Sequence, residues 1–154
     1  MSNYKRIFLN GYSYFITVVT HRRNPILIKN IELLREAFRE SKKKYSYTID
    51  AIVIMPDHLH MIITPKEAEE YSKIVSFVKR YFSRQCDPRY YAHLNQSNSR
   101  WRRGLKPIWQ KRFFEHTIRN DVDMRETLQY MYHNPVKHGY VQDPKEWTYS
   151  SFLP

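Results

Sequence analysis

Cysteine is nearly absent. Cys86 is the only one in 154 residues, so no disulfide can close within the chain and zinc sites built on several thiolates are excluded. Long apolar runs are missing too: nothing approaches the ~20 residues that span a bilayer, and no basic stretch with a broad apolar face is suited to lie on one. The opening residues Met1-Ser2-Asn3-Tyr4-Lys5-Arg6 lack the apolar segment of a secretory signal, so a cytoplasmic protein with no membrane partner is expected. Negative charge is scarce, with 15 acidic residues against 26 basic ones. The net +11 and a pI near 9.8 point to a polyanionic partner, most economically nucleic acid. Internal repeats and low-complexity tracts are lacking, and the length suits one domain over 1–154 with a full core.

Aromatic residues are plentiful at 16%, with 13 tyrosines among them. Most must pack, but aromatics interleaved with Lys and Arg also suit stacking on unpaired bases.

The most informative local pattern is His58-Leu59-His60. Strand side chains alternate faces, so the two imidazoles would point the same way, about 7 Å apart, while Leu59 enters the opposite layer. Such a pair is half of a divalent-metal site, each nitrogen reaching the ion at roughly 2.1 Å. Ile52-Val53-Ile54-Met55 before it and Met61-Ile62-Ile63-Thr64 after it read as strands, with Pro56-Asp57 as a tight turn. The pair alone does not establish a site, because a chain with seven histidines produces such triplets by chance often enough.

Around this hairpin the chain reads strand, helix, strand, strand, helix. Tyr12 to Thr20 is β-branched and aromatic, a first strand. Asn30 is placed to cap a helix with Ile31, Leu34, Ala37 and Phe38 at helical spacing, ending near Lys44. A second helix from Lys66 carries an apolar stripe through Tyr71, Ile74, Val75, Val78, Tyr81 and Phe82. From 87 to 106 the pattern breaks into a basic loop, functional or disordered. Ile108 to Glu115 is expected to be a fourth strand. The class is therefore α+β, a ferredoxin-like βαββαβ antiparallel sheet. Asn120 is positioned to cap an added C-terminal helix whose core stripe is Met124, Leu128 and Met131, with Pro135 and Gly139 closing it. Tyr130 and Asn134 are i, i+4 neighbours on its polar flank, and Tyr132 lies on the opposite flank.

These segments together resemble the single-tyrosine HUH transposases. His58-Leu59-His60, then Trp109-Gln110-Lys111-Arg112-Phe113-Phe114-Glu115-His116, then Tyr130-Met131-Tyr132-His133-Asn134-Pro135-Val136-Lys137-His138-Gly139 match in order and spacing, and the branch most similar is the REP-associated tyrosine transposases. The resemblance spans nearly the whole chain. It implies cutting and rejoining of single-stranded DNA at REP-type hairpins, with Tyr130 as nucleophile forming a 5′-phosphotyrosine and leaving a 3′-OH. It also implies a divalent ion, Mg²⁺ or Mn²⁺, on His58, His60 and Asn134, although Asn134 before Pro135 also suits a simple helix end. A phenol is mostly protonated at neutral pH, so the ion's work would be to polarise the scissile phosphate. DNA contacts are expected from Arg100, Arg102, Arg103, Lys111, Arg112 and Lys137, with Trp101, Tyr4, Lys5 and Arg6 as stacking or base contacts.

His116, His133 and His138 have no readable spacing to the pair, and hydrogen-bonding surface or DNA-contacting roles are expected of them. Two rival readings stand beside this one: a non-catalytic nucleic-acid-binding module of RNA-recognition type, and a nuclease using metal-activated water with Tyr130 structural. No protein partner is evident, and monomer and homodimer both remain open.

Overall fold

The computed structural model describes residues 11–151. The expected contacts Tyr4, Lys5 and Arg6 lie outside them. Strands β1 (Tyr14–Val19), β2 (Tyr47–Ile54), β3 (His58–Pro65) and β4 (Phe114–Thr117) form one antiparallel sheet in the order β2-β3-β1-β4. Helices α1 (Ile31–Lys44) and α2 (Tyr71–Gln85) cover one face, α4 (Asp121–Lys137) lies against the other, and the short α3 (Asn98–Arg102) sits in the connection before β4. The expected βαββαβ plan with an added C-terminal helix is the one observed.

Alternation along the strands sorts the core. Tyr14, Ile16 and Val18 of β1 and Leu59, Met61 and Ile63 of β3 pack with Leu34, Phe38, Ile74, Val78 and Phe82 under the two helices. Phe15 and Ile62 face the other way, toward Met131 on α4. In β2 the register shifts between Ile49 and Ala51, so the extra residue Asp50 turns Ile52 and Ile54 back to the α1 side. His58 and His60 stand on the α4 face, a consequence of period two once Leu59 is committed to the main core.

Four expectations need correction. Asn30 occupies the N-cap position of α1, but its side chain does not cap; its amide donates back to the Ile26 carbonyl at 2.8 Å. The second helix begins at Tyr71, after a separate 3₁₀ turn at Ala68–Glu70, rather than at Lys66. The fourth strand is only Phe114–Thr117; the stretch from Ile108 touches the sheet by a single bridge, Thr20 to Trp109, because Trp109 turns inward against Phe82 at 5.2 Å. Finally, 87–106 is folded. A 3₁₀ turn at Pro88–Tyr90 is capped by Asp87, and α3 is capped by Ser97. Arg100 ties the segment together by donating to Gln96 Oε1 and to the carbonyls of Lys106 and Trp109.

In α4 the expected cap holds, with Asn120 Oδ1 accepting from the Asp123 amide at 2.8 Å. The helix runs through Pro135 to Lys137 and ends where Gly139 adopts φ +78°, a left-handed conformation that glycine takes without steric cost.

Candidate active site

The site begins with the turn before β3. The Met55 amide donates to the His58 carbonyl at 2.8 Å, which places Asp57 beside the first histidine. His58 Nδ1–H donates to Asp57 Oδ1 at 2.6 Å, which holds the ring by that nitrogen. On the neighbouring strand Thr17 pairs with His60, and Thr17 Oγ1 shares a 2.7 Å hydrogen bond with His60 Nδ1. Both imidazoles are thus held at Nδ1 by a polar neighbour, as the histidines of metal sites commonly are. The rings lie 4.9 Å apart, centre to centre. His58 is 3% and His60 4% exposed, deeper than ligands at the lip of an open cleft. Burial, with His58, His138, Arg23 and Lys137 close by, pushes the His60 pKa down to about 3.

Helix α4 supplies the facing wall. Residues 130, 134, 137 and 138 fall on one stripe at ~100° per residue. Tyr130, Lys137 and His138 line a pocket of about 400 Å³ with His58, His60 and Phe15. The Tyr130 ring lies edge-on to His60 at 5.4 Å and to Phe15 at 6.2 Å, and it is 42% exposed, open to an incoming strand. Lys137 Nζ sits 5.3 Å from the centre of that ring. Asn134, between them on the stripe, is fully buried. The flank read from the sequence is thus split, with Tyr130 exposed and Asn134 buried.

Burying a polar group without a partner is costly. Yet His60 Nε2 and both side-chain amide atoms of Asn134 have no hydrogen-bond partner among the described residues. Two imidazole nitrogens and one amide oxygen form a mixed donor set that suits Mn²⁺ or Mg²⁺, and the orphaned atoms fit such an ion. No group of three or more His, Cys, Asp and Glu side chains able to hold a metal occurs among the described residues.

Sequence reasoning missed four members of the site. Asp57 and Thr17 orient the histidines. His138, expected to be a surface or DNA-contacting residue, is exposed, lies 5.1 Å from His58, ring to ring, and lines the pocket. Arg23 lines it too, and its guanidinium is 3.5 Å from Asp57. Only the position of Asp57 next to a candidate ligand was a readable signal. By contrast, His116 is held away by Asp123 at 2.9 Å, and Tyr132 is half-buried beside His133 at 5.1 Å and does not line the pocket. Cys86 is buried, and desolvation pushes its pKa up to about 11.

Arg23 reaches the pocket through a strained turn. Arg22 and Arg23 have φ of 52° and 56°, left-handed values that side chains with a Cβ rarely adopt. Tertiary bonds impose them: the His21 amide donates to the Ile108 carbonyl, Asn24 Nδ2 to the Tyr90 carbonyl, and Thr20 Oγ1 to the carbonyls of Asn24 and Asp57. Arg22→Gly is accordingly expected to raise stability by about 0.5–1 kcal/mol, or roughly 2 °C in Tm. A thermal melt in which this variant is less stable than the parent would show that the turn stores no strain.

The expected DNA contacts divide into two kinds. Trp101, Arg102, Arg103, Lys111, Arg112 and Lys137 are exposed. Arg100 is half-buried and its guanidinium is occupied by three oxygens of its own loop, so it builds the segment rather than presenting charge. Of these residues only Lys137 lines the pocket. The sheet surface around the site carries the two histidines and one exposed aromatic, Phe114, rather than the row of exposed aromatics that an RNA-recognition module needs.

Comparison with known proteins agrees with this arrangement. Residues 9–134 match the family described as "Transposase IS200 like", and the chain belongs to that family. Within it, the relatives are REP-associated tyrosine transposases. The Escherichia coli K12 protein of that name is 36% identical over 99% of this chain and 83% of its own length. A Haemophilus influenzae protein that bears the same designation provisionally is 40% identical over 99% of this chain and 86% of its own. A solved structure of such a transposase bound to a REP hairpin superposes with a TM-score of 0.80 at 35% identity, covering 99% of this chain and 83% of that one. Among the described residues no helix is long and apolar enough to cross a membrane.

Proposed function

We propose that this enzyme cuts and rejoins single-stranded DNA beside REP-type hairpins, through a covalent bond between Tyr130 and a 5′-phosphate. The observation that carries this reading is the convergence, on one pocket, of an exposed tyrosine with two buried histidines, the Nε2 of His60 among them having no hydrogen-bond partner among the described residues. His58, His60 and Asn134 would hold the divalent ion, which when bound polarises the scissile phosphate and neutralises its charge. Tyr130 Oη attacks phosphorus in line with the departing 3′ oxygen, its phenolic proton passes to solvent, and the 3′ oxygen leaves as a hydroxyl after taking up a proton. The phosphodiester energy stays in the phosphotyrosine, so a second 3′-OH can reverse the step and join a new strand. Lys137 and Arg23 place positive charge where the phosphate must sit. Phe114, 59% exposed on the pocket rim, and Tyr130 itself offer rings to unpaired bases. The substrate places the enzyme in the cytoplasm, with the DNA.

The deciding experiment compares one sequence as a single-stranded hairpin with unpaired flanks and as perfect duplex, with Mn²⁺, at fixed ionic strength. The expected result on a denaturing gel is a protein–DNA adduct from the hairpin and little from the duplex. Equal cutting of both, or cutting without an adduct, would refute the reading; the latter would favour hydrolysis by activated water.

The residues behind the histidines should matter nearly as much as the histidines. Thr17→Val keeps the β-branched shape but removes the partner of His60 Nδ1, and Asp57→Asn weakens the acceptor for His58. Each should raise the Mn²⁺ concentration needed for half-maximal cleavage by about 10–100-fold. An unchanged metal titration in both would remove these two residues from the site.

A further inference from the structure

Helix α4 carries both Tyr130 and Asn134, yet little of its own surface fixes it to the sheet. Its buried residues are Met131, Asn134 and Pro135, and the asparagine's amide has no hydrogen-bond partner among the described residues. Seating an unpartnered amide against a sheet costs free energy rather than supplying it. The helix therefore depends on what holds its ends. Before its start, in the short link from β4, the Ile118 amide donates to the Ser13 carbonyl at 2.9 Å. After its end, residues 139–151 lead from α4 to β2, the opposite edge of the sheet.

Those residues form a strap bonded at both ends. The Tyr140 amide donates to the Pro135 carbonyl at 3.0 Å, and the Tyr140 ring lies 5.4 Å from that of Trp147. Trp147 is half-buried against the cluster that contains Met131, Ala51, Val53 and Met55. Beyond it the chain pairs with the outer edge of β2: the Ile54 amide donates to the Tyr149 carbonyl at 2.9 Å, the Ser151 amide donates to the Ile52 carbonyl at 2.9 Å, and Val53 bridges Ser150. The Trp147 indole N–H donates to the Ile54 carbonyl at 2.9 Å, so the strap takes both backbone groups of that residue. Ile54 is the last residue of β2 before the turn that carries Asp57 and His58. The next amide, that of Met55, donates to the His58 carbonyl, so a shift of Ile54 passes directly to the first histidine.

We propose that Trp147 is a positioning residue for strand cleavage, setting the distance between the helix that carries Tyr130 and Asn134 and the turn that carries Asp57 and His58. The inference rests on the reading of Tyr130 as nucleophile and of His58 and Asn134 as ligands. Trp147 does not line the tyrosine pocket, so its effect is exerted through the helix and the turn it joins. Its ring wedges α4 against β2, and its N–H ties that wedge to the turn. A misplacement of about 1 Å between reacting groups, caused far from the chemistry, can cost about 10²-fold in rate.

The test uses two substitutions in the full chain: Trp147→Phe keeps an aromatic wedge and removes the N–H, and Trp147→Ala removes both. Ile74→Val, a core change under α2 and away from the strap, controls for a small general loss of stability, which thermal melts without metal compare. Single-turnover cleavage is measured at saturating hairpin and Mn²⁺, well below every melting temperature. Hairpin affinity is read by fluorescence anisotropy, and Mn²⁺ affinity from the metal-dependent rise in Tm without DNA. Trp147→Phe should cleave about tenfold more slowly and bind Mn²⁺ about tenfold more weakly, with hairpin affinity within about twofold of the parent. Trp147→Ala should lose about 10²-fold in rate; should it fail to fold, Trp147→Phe decides alone. Ile74→Val should keep rate and metal affinity within about twofold. A parental Mn²⁺ affinity or cleavage rate in Trp147→Phe, a hairpin affinity that falls with the rate, or equal losses in Ile74→Val would overturn the proposal. If the parent forms no adduct while Trp147→Phe still binds Mn²⁺ more weakly, the Tyr130 reading fails and the positioning by Trp147 stands.

Discussion

Tyr130→Phe should bind hairpin DNA within a few-fold of the parent and fail to cut it, with cleavage and adduct both down by at least about 10³-fold. The substitution removes one oxygen from a ring that is 42% exposed and keeps the ring that meets Phe15 and His60 edge-on. Fold, pocket shape and stacking surface therefore survive, and only the nucleophile is lost. Tyr132→Phe is the matched control. Its ring lies beside His133 and outside the pocket, so most activity should remain. A denaturing gel with labelled hairpin reads both variants; an adduct that persists in Tyr130→Phe and vanishes in Tyr132→Phe would reverse the assignment.

His60→Ala carries the second large effect. The parent buries the His60 Nε2 lone pair and an Asn134 amide with no described partner, and a bound ion would satisfy both. Saturating Mn²⁺ at about 100 times its dissociation constant would stabilise the parent by about 2.7 kcal/mol, some 5 °C or more in Tm. In His60→Ala this metal-dependent rise should disappear, together with at least about 10³-fold of the cleavage rate. Apo stability is a separate readout. The imidazole is 4% exposed and stacks on Phe15 at 5.4 Å, so its removal leaves a small cavity and costs on the order of 1–2 kcal/mol, more than a histidine at an open cleft would. A variant with the parent's metal-induced shift and the parent's activity would dismiss the metal site.

What could be read without coordinates was whatever depends on local period and local capping. His58 and His60 had to share a face because strand side chains alternate, and Leu59 had to enter the core between them. The α4 cap at Asn120 and its termination at Gly139 followed from the side-chain acceptor and the glycine. The resemblance to HUH transposases, carried by the order of three short motifs, named Tyr130, His58, His60 and Asn134 as a set. Period alone also misled. The aromatic run from Ile108 looked like a strand, but Trp109 gains more by burying its ring against Phe82 than by extending β4.

The tertiary structure decided what depends on partners distant in sequence. Thr17 meets His60 only because β1 pairs with β3 in one register, and His138 meets His58 only because α4 crosses that face of the sheet. The left-handed turn at Arg22 and Arg23 contradicts local propensity and exists because Ile108, Tyr90 and Asp57 hold its backbone from outside. Asn134 looked like a residue on a polar flank, and the sheet made it a buried, unpartnered one. The physical reason is common to all four. Periodicity reports which way a side chain points from its own element, whereas burial, pairing and backbone strain are set by what packs against that element, and those neighbours come from elsewhere in the chain.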